Sequence, residues 1–70
     1  MYTPKFQNAY DIQSTVIYVG TSGTGVATSE ASWKIKKVVL DASGNPTSTK
    51  FAGDGLFTQV WDNRTSLSYT

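Results

Sequence analysis

Histidine and cysteine are both missing from this 70-residue chain, and its carboxylates number five: Asp11, Glu30, Asp41, Asp54 and Asp62. Without His the chain lacks the side chain that most often moves protons near neutral pH. Without Cys it has neither thiolate nucleophiles nor disulfides. Zinc sites draw on the same two residue types, so the sequence predicts no metal and no other cofactor. Long hydrophobic runs are missing too: nothing approaches the roughly 20 apolar residues of a membrane-crossing helix. The opening Met-Tyr-Thr-Pro-Lys does not have the layout of a secretory leader, and the expected setting is a cytoplasm or a particle assembled there. A strong charge of either sign is also absent. Net charge is +1 with a pI near 8.0, whereas nucleic-acid binders carry a basic face or stripe. Lys34, Lys36 and Lys37 are the only basic cluster. In sequence they lack the aromatic platform that single strands stack on, so neither nucleic acid nor membrane is expected as a partner.

A chain this short buries only about 60% of the surface that its unfolded form exposes. Small domains offset that deficit with disulfides, metals or neighbouring subunits, and here only neighbours remain. Because binding of the folded form raises apparent stability by mass action, assembly is the natural expectation.

What is present is strand-forming sequence. Ser14-Thr-Val-Ile-Tyr-Val-Gly20 is dense in β-branched and aromatic residues and predicts a central strand, with Val16 and Tyr18 on one face and Ile17 and Val19 on the other. Three glycines in Gly20-Thr-Ser-Gly-Thr-Gly25 predict a flexible loop. Trp33 to Leu40 alternates in its first half, which favours a second strand over a helix capped by Ser29. Asp41-Ala-Ser-Gly-Asn-Pro46 reads as a turn, and Thr47 to Ala52 as the returning antiparallel strand. Phe57, Val60, Trp61, Arg64 and Leu67 then share helical spacing, which predicts a short helix over about 56–66 with Asp54 as its cap. Ser68 to Thr70 reads as an edge strand. Residues 1–13, with Phe6, Tyr10 and Ile12 in no clear period, read as an N-terminal arm that is mobile or docked on a partner. The expected architecture is therefore α+β and mainly β: a small antiparallel sheet of about three to five strands with one C-terminal helix, forming a single domain over residues 14–70.

The motifs offer little chemistry. The glycine loop lacks the Gly-Lys-Ser/Thr ending of a phosphate cradle. Asp54 and Asp62 would lie two helical turns apart, too far to share a proton. No His can serve as base for any Ser or Thr, and although Ser–Lys arrangements stay formally open no spacing recommends one, so no catalytic residue is assigned and the chain is not expected to be an enzyme. Trp33, Ile35 and Trp61 are the expected core anchors, since a buried Trp contributes roughly 150–250 Å². Tyr2, Phe6, Tyr10 and Tyr69 lie near the termini and are candidate partner contacts, as is Arg64. The bland alternative for Arg64 is a stem packed on Trp61 with its charge in water or paired with Asp62 or Glu30.

Ile17-Tyr-Val-Gly20, Ala27-Thr-Ser-Glu-Ala-Ser-Trp-Lys-Ile-Lys-Lys-Val38, Phe51-Ala-Gly-Asp-Gly55 and Val60-Trp-Asp-Asn-Arg-Thr-Ser-Leu-Ser-Tyr69 together resemble a group of small proteins encoded by tailed bacteriophages. The similarity runs from about Ser14 to Tyr69. Its most specific part is the Trp-x-Ile-Lys strand, the Ala-Gly-Asp turn and the closing Val-Trp-Asp-Asn-Arg. Phe51 stands where a tryptophan is common in the group. The resemblance implies a virion component present in many symmetric copies, either a capsid-decorating or a head–tail accessory protein. It would be assembled in the host cytoplasm, with capsid, neck or tail proteins as partners. A stand-alone module on a phage fibre, recognising carbohydrate through exposed aromatics, is the alternative.

Overall fold

The computed structural model describes residues 5–70. Five antiparallel strands make one open sheet: β1 (Phe6–Gln13), β2 (Val16–Gly23), β3 (Ala31–Leu40), β4 (Pro46–Phe51) and β5 (Gln59–Val60). The strand order is β1-β2-β3-β4, and β5 pairs with the start of β3, where Ala31 faces Val60 and Trp33 faces Gln59. The chain is thus mainly β, as its β-branched segments and turn residues predict.

Three segments depart from expectation. Phe6–Gln13, expected as part of an arm, is a regular strand paired along its whole length with β2, from Phe6 opposite Gly23 to Gln13 opposite Val16. The segment Gly20 to Gly25 is not a free loop: β2 runs on through Gly23, and the turn follows it. Over 56–66, an α-helix is replaced by extended backbone, the two residues of β5 and a 3-10 helix at Trp61–Ser66. Val60, at the start of that helix, offers no side-chain cap. Asp54 is not a cap either. It sits at φ 58 between Gly53 at φ 56 and Gly55 at φ 77, a left-handed run that glycine tolerates and aspartate can join.

The turn at 41–46 forms as expected, with the Asp41 carboxylate accepting hydrogen bonds from the Ser43 and Asn45 amides at 2.9 Å each. Ser68 to Thr70 contributes only an isolated bridge, Ala52 opposite Tyr69, with Phe51 and Thr70 exchanging backbone hydrogen bonds.

The core lies on one face of the sheet. Tyr18, Trp33, Ile35 and Trp61 form it, with Ala9, Val16, Val26, Leu67 and Tyr69 packed around them. Ile35 is wholly buried and Trp33 is 2% exposed. The two indoles meet at 5.9 Å with a 35° tilt, and Trp33 Nε1–H donates to the Ala27 carbonyl at 3.0 Å. Gly20 lies beneath them in the middle of β2. A Cβ there would fall 2.5 Å from Trp61 Cε3, so the missing side chain is what lets the indole rest on the sheet. Ser22 is fully buried on the same face. Its hydroxyl accepts from Gln7 Nε2 and donates to the Gly23 carbonyl, each at 3.1 Å, so this buried polar group is satisfied.

Candidate interaction site

Strand parity divides the sheet into two chemically different sides. The C-terminal segment covers the first side. There Arg64, three residues after Trp61 and therefore stacked above it in a 3-10 turn, lies with its guanidinium 4.7 Å from the Trp61 ring. Its Nε–H donates to Asp11 Oδ2 at 2.8 Å. That hydrogen bond and a second from Gln13 hold the Asp11 carboxyl below the usual carboxylate range. Arg64 therefore ties the 3-10 helix to β1, and its ion partner is Asp11 rather than Asp62 or Glu30. Tyr69 also faces inward. Its hydroxyl donates to the Arg64 carbonyl at 2.7 Å, and its ring lies 5.9 Å from that of Tyr18. Burial, reinforced by Tyr18, pushes the phenol up to about 12 against a smaller opposing effect of Arg64.

Among the described residues, none gives the second side such cover. Successive rows of side chains cross it: Asn8, Thr21 and Lys34; then Tyr10, Val19, Lys36 and Phe51; then Ile12, Ile17, Val38 and Thr49. The first two rows floor a trough of about 460 Å³. Phe57 reaches over from the 53–58 loop and stacks on Phe6, ring centres 6.3 Å apart, which closes one end. Lys34 Nζ lies 5.3 Å from the Phe51 ring. The lining carries two lysines and no carboxylate. Phe6, Tyr10, Ile12, Leu56 and Phe57 are exposed by 46–72%.

The candidate contacts thus separate. Phe6 and Tyr10 stand on the open side, Arg64 and Tyr69 are engaged within the covered side, and Tyr2 lies outside the described residues. Trp33, Ile35 and Trp61 occupy the core. The sequence reading did not bring Phe51, Phe57, Lys34 and Lys36 together with Phe6 and Tyr10. The signal was there for part of it, because Lys34, Lys36, Phe6, Asn8, Tyr10 and Ile12 each keep strict alternation within their own strands.

Chemically, such a surface can bury rings and aliphatic groups and pair with anionic ones. Among the described residues no three His, Cys, Asp or Glu side chains cluster to hold a metal ion, and no helix is long and apolar enough to cross a membrane. No family model, curated protein or solved structure matches the chain.

Proposed function

We propose that this chain is a structural component of a tailed-phage particle, a capsid-decorating or head–tail accessory protein that works by protein–protein contact and catalyses nothing. The observation that carries the binding part is the uncovered sheet face, where Phe6, Tyr10 and Phe57 stand exposed around one trough and Ile12 is exposed on the same face. Soluble monomers seldom leave large apolar side chains grouped in this way unless a partner covers them. The particle context comes from the resemblance of residues 14–69 to small tailed-phage proteins, and a thin, disulfide-free core suits a chain that is stabilised where it docks.

Quantitative mass spectrometry of washed, intact particles tests this reading. A copy number fixed by the particle's symmetry supports it, and absence from washed particles overturns it. The exposed rings also suit the second reading, a fibre-borne carbohydrate binder. Glycan binding by the isolated chain, with no other phage protein present, would favour that one.

A further inference from the structure

Among the described residues the sheet ends on one side at β1, and of the devices that normally keep an edge strand from pairing this edge carries one, the inward-facing charge of Asp11, which is ion-paired with Arg64. Phe6–Gln13 contains no proline, no lysine and no bulge, and its eight residues pair without a break to β2. The opposite edge is different. β4 opens with Pro46, its pairing with β3 is irregular at Val39/Leu40, and Thr70 already exchanges hydrogen bonds with Phe51.

The pattern of backbone groups on β1 follows from one bond. Thr24 N–H donates to the Lys5 carbonyl at 3.2 Å. Antiparallel pairs alternate, so Gln7, Ala9 and Asp11 spend their amides and carbonyls on β2, while those of Phe6, Asn8, Tyr10 and Ile12 point outward. The β2–β3 ladder agrees in phase, since Leu40 N–H donates to the Thr15 carbonyl and the odd residues of β2 therefore face β3.

We infer that β1 pairs antiparallel with β1 of a second copy of this chain, about a two-fold axis at Ala9. This deepens the proposed assembly role by naming one partner, and it rests on that reading only in that the chain works by contact. In this register Phe6 lies opposite Ile12 and Asn8 opposite Tyr10, and every outward N–H and C=O from Phe6 to Ile12 gains a partner. A shift by one pair leaves an end of the strand unmatched, and an axis at Asp11 sets two carboxylates against each other. The centred register places Asp11, the only charged residue in Phe6–Gln13, opposite the amide of Gln7. It also sets exposed Phe6 against exposed Ile12 on the open face at two symmetric places, which joins the two troughs into one continuous surface.

Light scattering coupled to size exclusion, amide hydrogen exchange and a cysteine crosslink together test the inference. The full chain should run at about 15 kDa, twice its 7.6 kDa mass, and protection should extend to the outward amides of Phe6, Asn8, Tyr10 and Ile12. Asn8→Pro removes one outward donor and should return the mass to that of a monomer, while Asn8→Ala should not. The chain has no native cysteine, so oxidation of Ala9→Cys reports the axis directly. The facing Cα atoms would be about 4.5 Å apart, within disulfide reach, and should crosslink, whereas Gln13→Cys should not. A monomer at every soluble concentration, with protected odd and fast-exchanging even amides along β1, overturns the inference whatever the variants do. A dimer that is missing from washed particles would uphold the edge pairing and sink the particle reading. A monomer that is abundant in particles would do the reverse.

Discussion

Substituting Gly20 by Ala probes the packing that leaves only one face of the sheet open. The added Cβ would lie 2.5 Å from Trp61 Cε3, 2.8 Å from Trp61 Cζ3 and 3.0 Å from Trp33 Cε3. Carbon atoms rest about 3.5–4.0 Å apart, so the Trp61 ring has to retreat by roughly 1 Å. Trp61 is 6% exposed and has Arg64 stacked on its outer side, so the retreat loosens the core and the Arg64–Asp11 bond together. Overpacking of this kind costs about 1–3 kcal/mol. Reduced unfolded-chain entropy returns about 0.4–1 kcal/mol. The net loss of about 1–2 kcal/mol corresponds, at roughly 4–8 °C per kcal/mol for a domain this small, to a Tm lower by about 5–15 °C. Thermal unfolding followed by circular dichroism measures it. Gly23→Ala is the control, because a Cβ there meets only Val26 Cγ2 at 3.9 Å, and its Tm should hold or rise slightly. An unchanged or raised Tm for Gly20→Ala would refute the claim that Trp61 lies against the bare backbone of β2.

Other outcomes follow from the same contacts. Arg64→Ala should lower Tm more than Arg64→Lys, since Lys keeps a charge near Asp11 but loses the planar guanidinium over Trp61. On the acid side, the Asp11 carboxyl is held below its ordinary value of 3.8 by Arg64 and Gln13, and that of Asp41 by the Asn45 amide. Their contribution is therefore present above pH 3.8 and lost as pH falls through the lower folded-state values, which an acid titration of Tm will show. On the alkaline side, the Tyr69 phenol stays neutral up to about 12 in the folded state against 10.0 in the open chain, so stability should decline as pH rises from 10 towards 12, and Tyr69→Phe should flatten that limb. Tyr10→Ser, at a residue 64% exposed, should leave the unfolding free energy within about 0.5 kcal/mol of the parent while weakening partner binding.

β2, β3, the Asp41–Pro46 turn and the core anchors are legible in the sequence because β-branched density, alternation and turn chemistry agree there. β1 is hidden because its open-face row reads Phe, Asn, Tyr, Ile and the intervening row Gln, Ala, Asp, Gln, a faint alternation in which neither side is continuously apolar. The glycines of 20–25 mislead for a different reason: Gly20 is small because Trp61 lies on it, not because the chain turns there. The helical spacing of Phe57, Val60, Trp61, Arg64 and Leu67 mixes two environments. Phe57 belongs to the open face with Phe6, and the three-residue step from Trp61 to Arg64 suits a 3-10 turn as well as an α-helix. The trough draws on β1, β2, β3, the end of β4 and the 53–58 loop, so its assembly depends on strand order, which local sequence pattern does not encode.

Hydroxyl-radical footprinting of the chain, free and in washed particles, tests the central claim most directly, because it reads the open face and the core in one experiment. If partners cover the open face, oxidation of Phe6, Tyr10 and Phe57 falls several-fold on assembly while Trp33 and Trp61 react slowly in both states. Equal oxidation of Phe6, Tyr10 and Phe57 in the two states would contradict it.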